Sequence, residues 1–274
     1  MATIRLYPNS RVKPESAYLR KFRKNITSQT GEDGMIEKIL EILGTANRWC
    51  VEFGAWDGRE FSNSWALINN HGWNSVLIEA DQKKFRELEG YYAANDKVTT
   101  VNTLVDMNAG HNSLDAILAR TPIPPDFDFL CIDIDGCDWH IWDSLANYHP
   151  RLVLIEFNPT IPNHVSFVQD RDMSVNQGSS LRAMIELAKK KGYELVATTE
   201  WNAFFVKAVD FPAFGIADNS IDSMHSIDAA ESTFFQLFDG TVVLCGCTKL
   251  LWSGVPIAQE DIQVLPRSLR RYRG

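Results

Sequence analysis

Short apolar runs alternate along the chain with segments in which apolar residues recur every three or four positions. The runs predict buried strands, because a parallel strand that is covered on both faces is apolar throughout. They lie at 48–53, 74–79, 97–101, 127–133 and 151–157. The intervening segments show the spacing of amphipathic helices. These predicted helices lie at about 33–43, 60–70, 82–93, 113–119 and 139–146.

The next part of the chain completes the pattern of one sheet. A helix at 179–191 is expected to end at Gly192. Two apolar runs at 193–198 and 203–208, joined by a short polar turn, predict an antiparallel hairpin. Repeated strand and helix units followed by one hairpin indicate an α/β fold: a Rossmann-like, doubly wound, mostly parallel seven-stranded sheet with a terminal antiparallel hairpin.

The two ends of the chain lie outside this alternation. We divide the chain into an N-terminal arm at 1–32, a domain at 33–210 and a C-terminal extension at 211–274. Thr30 and Asp33 resemble a capping box before the first helix. The extension contains a predicted helix at 227–238 and a predicted strand at 241–247, and it is an oligomerisation arm or a cover for the substrate.

The composition of the 274 residues, 45% hydrophobic and 23% charged, is that of a soluble globular protein. The net charge of −8 is uneven: residues 1–24 carry +6 and residues 266–274 carry +4, which leaves −18 for the rest. An acidic body disfavours nucleic-acid binding. The basic ends are either solvated tails or segments that dock on an acidic neighbour such as a second copy. Together with the strand at 241–247 they favour a homo-oligomer. No apolar stretch has the length of a membrane helix, and no apolar signal segment follows Met1, so we expect no membrane partner and a cytoplasmic location.

Five cysteines have no metal-site or disulfide spacing, and we expect reduced thiols.

Candidate chemistry lies at the carboxyl ends of the predicted strands, where open α/β sheets bind ligands. The first strand ends in a glycine turn, Gly54 to Gly58, that is flanked by Glu52 and Asp57. Its spacing is not the G-x-G-x-x-G of nicotinamide and flavin sites, and the carboxylates favour a ligand with an ammonium group over a pyrophosphate. Glu79 follows Gly54 by 25 residues, near the spacing at which an acidic residue accepts ribose hydroxyls.

These two segments, Val51 to Gly58 and Leu77 to Asp81, resemble motifs I and II of class I S-adenosylmethionine-dependent methyltransferases. Residues 131–138 and 150–158 are similar to the I-D-x-E-G and R-x-V-x-x-E stretches of the FkbM-like family, with Asp135 where that family usually has Glu. Residues 28–33 also resemble a segment of its members. The resemblance covers about 28–210 and implies an O-methyltransferase that acts on a hydroxyl of a small molecule, a sugar or natural-product intermediate.

The resemblance also implies a cofactor site. Glu52, Gly54, Asp57 and Gly58 would surround the methionine part of S-adenosylmethionine, Glu79 its ribose, and Asp81 or Asp106 its adenine side. Gln29, Ala55, Ala80 and Asp133 complete the expected set of cofactor-binding residues.

Acidic residues follow the fourth and fifth predicted strands. Asp133 and Asp135 end one strand, and Glu156 and Asn158 end the other. Converging carboxylates repel one another unless a proton or a cation compensates, which favours Mg²⁺ or Mn²⁺ held by these four residues. The alternative is that Asp133 or Asp135 is a general base without a metal and that Asp138 caps the next helix.

The stretch between Phe157 and Gly178 has no regular pattern and is expected to cover the site. Its His164 is either the base that accepts the hydroxyl proton or a surface histidine without a role. Two other functions remain open: the same cofactor used for N-methylation or cyclisation, and a non-catalytic cofactor-binding assembly module.

Overall fold

The computed structural model describes residues 11–226, 232–246, 248 and 255–272. Seven strands form one sheet in the order β3-β2-β1-β4-β5-β7-β6. They are β1 Trp49–Phe53, β2 Asn74–Glu79, β3 Val98–Asn102, β4 Phe129–Ile132, β5 Leu152–Glu156, β6 Tyr193–Thr198 and β7 Asn202–Lys207. Strands β1 to β5 run parallel, and β7 pairs antiparallel with both β5 and β6.

Helices alternate with the strands as the sequence predicts. They are α1 Glu32–Leu43, α2 Trp65–His71, α3 Gln82–Tyr92, α4 Leu114–Leu118, α5 Asp138–Ser144, α6 Leu181–Lys190 and α7 Ile221–Met224. Shorter 3-10 turns lie at Tyr18–Phe22, Phe211–Phe214 and Gln259–Ile262. Every residue of β4 and the first four of β5 are buried, so both faces of the sheet are covered. The expected doubly wound, mostly parallel sheet is confirmed.

Local hydrogen bonds place two helix starts differently from the prediction. The helix expected from residue 60 begins at Trp65, because residues 62–64 are held by Glu52 instead. The expected capping box does not form, since Gly31 is the N-cap of α1. The Asp33 carboxylate accepts the backbone N–H groups of residues 26–28 and therefore fixes the preceding turn.

The predicted helix at 227–238 is wrong over residues 232–236, which form strand β8 (Ser232–Gln236). Residues 237 and 238 are not helical either, and 227–231 lie outside the described residues. Strand β8 pairs antiparallel with β9 (Val242–Gly246), which confirms the described part of the strand predicted at 241–247. Cross-strand pairing in this two-stranded sheet decides the conformation of 232–236, and this pairing is not a local property of the sequence.

Residues on both sides of the predicted domain pack into its core. Leu19 comes from the N-terminal segment, and Phe214, Ile216 and Met224 come from the segment after β7. In the part of the chain that the structure describes, no helix is both long enough and apolar enough to cross a bilayer.

Candidate active site

The strand order reverses between β1 and β4, and the carboxyl ends of β1, β2, β4 and β5 meet at one edge of the sheet. In open α/β sheets the crevice at this switch point is the ligand site. All the acidic residues selected at strand ends from the sequence lie on or just after these strands.

Glu52, near the end of β1, is hydrogen-bonded to the segment before α2. Its carboxylate accepts hydrogen bonds from the Ser62 and Ser64 hydroxyls at 2.6 and 2.5 Å and from the Asn63 backbone N–H at 2.7 Å. The side chain is buried, and burial raises the pKa of its carboxyl group while these donors oppose the rise. Glu52 therefore anchors the segment before α2, and its expected contact with the methionine part of a cofactor stays a prediction.

The glycine turn after β1 brings two strand ends together. Gly54 has φ of 75°, and a Cβ atom there would lie 2.0 Å from the Asp133 carbonyl oxygen. Gly58 has the same φ, and its added Cβ would contact Leu88 and Tyr92 of α3. Only glycine tolerates both the left-handed backbone and these approaches. The turn packs closely against the end of β4 on one side and α3 on the other.

Glu79 braces the same turn from the neighbouring strand. Its Oε2 accepts the Trp56 backbone N–H and its Oε1 accepts the Asp81 backbone N–H, both at 2.7 Å. The Ala55 N–H donates to the carbonyl of Ile78 in β2. Each carboxylate oxygen has a second lone pair, so Glu79 is a fixed, largely buried acceptor at the end of β2.

The other residues expected around the cofactor are placed as follows. Asp57 accepts the N–H groups of residues 59 and 60, and Asp81 caps α3 by accepting those of residues 83 and 84. Asp106 accepts the Asn108 N–H within its own loop. Gln29 and Ala80 are exposed. Three of these carboxylates therefore stabilise the loops of this edge.

Asp133, Asp135 and Glu156 form a carboxylate cluster, with one oxygen from each lying within 4.8 Å of the others. Asp135 has a left-handed backbone with φ of 58°, which is uncommon outside glycine. One oxygen of Glu156, Oε2, is buried and has no hydrogen-bond partner among the described residues. The cluster has the composition of a proton-sharing group or of a site for a hard cation.

The electrostatics of the cluster favour protonation. Burial, followed by the charges of Asp138 and Asp135, raises the pKa of Asp133 well above its ordinary value. Burial and the charge of Asp133 do the same for the pKa of Glu156. Both groups thus retain protons at a pH where an exposed carboxyl is ionised.

Asp138 lies behind the cluster and holds its loop. Its two oxygens accept the backbone N–H groups of Ile134 and Gly136 at 3.0 and 2.9 Å. Burial raises the pKa of Asp138 to about 6, although these hydrogen bonds oppose the rise. The bonds reach back to the loop before α5, so this residue fixes the shape of the β4 to α5 connection.

Asn158 and His164 are not brought into the cluster. The Asn158 Oδ1 accepts the N–H and the hydroxyl of Thr160, and its Nδ2 donates to the Gln177 carbonyl. Through these bonds the Asn158 side chain stabilises the loop to which it belongs. His164 is exposed, and in the described part of the chain no hydrogen bond or ion pair joins it to the cluster.

The connection between β5 and α6, residues 157–180, forms a roof loop over this edge. Its organising residue is the buried Gln169, whose Oε1 accepts the N–H groups of residues 177 and 178 and whose Nε2 donates to the Val175 carbonyl. The carbonyl of Gln169 contacts His140 Nε2 at 2.7 Å. The sequence predicted that this segment covers the site. It did not predict that Gln169 stabilises the loop, because the segment is polar and has no regular pattern.

Arg171 links the roof loop to another loop of this edge. Its Nη2 donates to the Met107 carbonyl and the Asn108 Oδ1, both in the connection after β3. That connection leads from β3 to α4 and on to β4. Arg171 therefore ties the roof loop to the segment that precedes α4.

An aromatic residue beside Glu79 was not selected from the sequence. Trp56 has a left-handed backbone with φ of 51°, and its side chain is 44% exposed. The Lys84 Nζ lies 4.6 Å from the centre of its ring, a cation–π contact. A bulky residue inside a glycine turn is visible in the sequence, but this pattern alone does not indicate a binding role for Trp56.

No protein-family model matches the chain, and no curated protein matches it. Solved structures that are similar include the N-terminal domain of EvdMO1 in the presence of SAH and D-fucose, with 12% identity, 64% of this chain and 80% of that chain covered, and a TM-score of 0.41. A putative sarcosine dimethylglycine methyltransferase from Galdieria sulphuraria has 14% identity, 60% of each chain covered and a TM-score of 0.41. A SAM-dependent methyltransferase from Aquifex aeolicus has 11% identity and a TM-score of 0.39. The match covers 62% of this chain and 87% of that chain. At these identities the likeness concerns the fold alone.

Proposed function

We propose that the protein is an S-adenosylmethionine-dependent methyltransferase that acts on a hydroxyl of a small molecule, a sugar or natural-product intermediate. The observation that carries the proposal is Glu79: a fixed carboxylate at the end of β2, directly beside the switch point, with lone pairs left for two hydroxyls. This is the acceptor that the ribose of a nucleoside cofactor requires.

The charge of the crevice supports a cationic cofactor. The carboxylate cluster lies on β4 and β5, next to the β1 turn that Glu79 braces. A cation that binds here favours release of the protons that Asp133 and Glu156 retain. The resulting carboxylates attract the ammonium and sulfonium groups of S-adenosylmethionine, and they repel the pyrophosphate of a dinucleotide. The proposal therefore places the methionine part between Gly54 and Asp133, and the nucleoside beside Glu79 and Trp56.

In the proposed reaction the acceptor oxygen attacks the methyl carbon while the carbon–sulfur bond breaks, which leaves a neutral thioether. The hydroxyl proton passes to Asp133 when that residue is ionised. Its raised pKa makes it a stronger base than an exposed carboxylate. The displacement is in line, so most of the rate enhancement comes from alignment of the acceptor. The roof loop is positioned to exclude water from this step.

A divalent cation is the second possibility for the cluster, and the partnerless Oε2 of Glu156 favours it. Asp133, Asp135 and Glu156 would hold Mg²⁺ or Mn²⁺, whereas the Asn158 side chain is engaged elsewhere. The cation would supply positive charge that acidifies a bound hydroxyl. Calorimetric titration of the chelator-treated protein with each metal, with and without cofactor, decides between the two. Absence of heat in all titrations excludes the metal.

The cofactor proposal is tested by calorimetric titration with S-adenosylhomocysteine. We expect micromolar binding to the wild type and a loss of about 2 kcal/mol, roughly thirtyfold, for Glu79→Ala, because bonds to a charged acceptor are removed. Glu79→Gln keeps one acceptor oxygen and should fall between them. Glu89→Ala, an exposed change on α3, is the matched control and should bind as the wild type does.

Lack of binding to the wild type would contradict the proposal. Binding without consumption of S-adenosylmethionine, with hydroxylated acceptors screened, would support the non-catalytic assembly module instead. Mass spectrometry of the spent cofactor separates the remaining alternatives. Loss of the methyl group indicates methyl transfer, and loss of the aminobutyrate chain indicates cyclisation. Identification of the methylated atom distinguishes oxygen from nitrogen acceptors.

A further inference from the structure

The C-terminal module, residues 232–272 as far as the structure describes them, forms a small unit with its own hydrogen bonds. Within the described residues, each hydrogen bond and ion pair of the module joins two of its own residues, as Gln263 with Val242 and Arg270 with Glu260. None of its described residues belongs to the hydrophobic core of the body. A two-stranded hairpin of this kind is marginally stable by itself in water.

The module also exposes a large apolar surface. Phe238 is 89% exposed and stacks on Tyr272, which is 71% exposed, with ring centres 6.2 Å apart. Val264 is 82% exposed and Leu269 is 47% exposed. Exposed apolar residues gathered in one small unit indicate an interaction surface, since isolated ones are common but such groups are not.

The charge of the module identifies the partner. Arg267 and Arg271 lie beside these apolar residues and are exposed, and no ion pair with either is formed in the described part of the chain. The body, residues 11–226, carries a net charge of −9, whereas residues 232–272 carry +1. The exposed arginines of the module and the acidic body of a second copy attract each other. Membranes and nucleic acids are disfavoured by the acidic body.

The body offers a matching groove at the amino end of the sheet, away from the proposed catalytic edge. The groove lies between α1 and α2 and has a volume of about 330 Å³. Its floor is apolar, from Leu40, Leu67 and Trp73, and Glu37 and Glu41 lie at its margin. Glu41 pairs with Lys38, whereas Glu37 is exposed and forms no ion pair among the described residues. Arg48 also lines the groove.

We propose that the protein forms a reciprocal homodimer in which the aromatic tip of each C-terminal module, Phe238 and Tyr272, occupies the α1–α2 groove of the other copy, with Arg271 facing Glu37. The arrangement closes as a twofold dimer when the same two copies exchange modules with each other. Each contact is small, but the two together double the buried area. The dimer is independent of the proposed methyl transfer, since the groove lies at the opposite edge of the sheet.

The test is sedimentation of the full chain over a range of concentrations. We expect a dimer for the wild type and at least a tenfold weaker dimer for Phe238→Ser with Tyr272→Ser, and for Arg271→Glu. Glu37→Lys should weaken it as well. The double variant Arg271→Glu with Glu37→Lys exchanges the two charges and should restore the dimer. Higher salt should weaken the wild-type dimer, because exposed charges are screened.

Val209→Ser is the matched control, since it removes an apolar side chain that is 82% exposed but lies outside the module and the groove. It should leave the mass unchanged. A monomeric wild type at all concentrations, or a dimer that tolerates the aromatic changes, overturns the proposal. Weakening by the single charge changes without restoration by the charge exchange overturns the assignment of the groove. Circular dichroism of each variant shows that a loss of dimer is not a loss of fold.

Discussion

At the scale of single residues, carboxylates at neighbouring strand ends have different roles because different donors lie within reach. Glu52 is enclosed by two serine hydroxyls and a backbone N–H, whereas Glu79 holds only backbone N–H groups and keeps lone pairs free. Glu156 has a buried oxygen without a described partner. The function of an acidic residue at such an edge is therefore set by its surroundings.

This dependence limits what the sequence predicts about the site. The positions of Glu52, Glu79 and Asp133 at strand ends follow from the apolar runs before them. The hydrogen-bond partners of each side chain do not, because Glu52 is bound by Ser62 and Ser64, residues that come ten and twelve positions later. Asn158 is likewise removed from the cluster by contacts within the roof loop.

Asp135→Asn should stabilise the protein at alkaline pH. Asp133, Glu156 and Asp138 have raised pKa values, so their contribution to stability is present at low pH and is lost as pH rises, for Asp138 through about 6. Removal of the Asp135 charge lowers those pKa values. We expect about 1 kcal/mol more stability at pH 8, since water screens this exposed residue, and little change at pH 4.

Urea unfolding at both pH values measures this difference. Asparagine tolerates the left-handed backbone at position 135, so the substitution adds no strain. Asp96→Asn, at an exposed aspartate before β3, is the control and should behave like the wild type at both pH values. Equal effects of Asp135→Asn at pH 4 and pH 8 would disprove the electrostatic explanation.

At the scale of elements, continuous apolar runs located the seven strands of the large sheet to within a few residues, because burial on both faces leaves a strong local pattern. Elements fixed by distant contacts were located less well. Residues 232–236 pair with β9 and form a strand where a helix was expected. The start of α2 depends on Glu52, which belongs to another element.

Substitutions at two glycines should have opposite effects on stability. Gly54→Ala places a Cβ 2.0 Å from the Asp133 carbonyl oxygen at a positive φ, so we expect a loss of at least about 2 kcal/mol. Gly90→Ala lies in helix α3 with no atom within 4 Å, so we expect a gain of about 0.5–1 kcal/mol. Thermal and urea unfolding measure both, and a harmless Gly54→Ala would show that the β1 turn is free to move away from β4.

At the scale of the whole molecule, one hydrophobic core contains the sheet and residues from the segments that precede and follow it in the chain. No described residue of the C-terminal module belongs to that core. Phe214 and Met224 pack in that core, although they follow the last strand of the large sheet. Local patterns did not reveal this, because single apolar residues in a loop give no periodicity. The structural body therefore extends further along the chain than the run of predicted strands and helices.

A chain that ends at Glu231 should keep the stability of the body. None of the described residues of the module belongs to the core, so little apolar burial is lost. We expect a urea midpoint within experimental error of the full chain, measured at a dilution where both are monomeric. A loss of several kcal/mol would mean that the module supports its own body, and it would count against the reciprocal dimer as well.

The hydrogen bonds from Arg171 to the loop after β3 also affect the rate at which a ligand leaves the crevice. Because two hydrogen bonds of Arg171 tie the roof loop to the loop after β3, opening of the roof loop requires that these bonds break. Opening of such loops takes microseconds to milliseconds and often limits turnover. For the proposed methyl transfer, we therefore expect release of the spent cofactor to limit turnover more than the chemical step does.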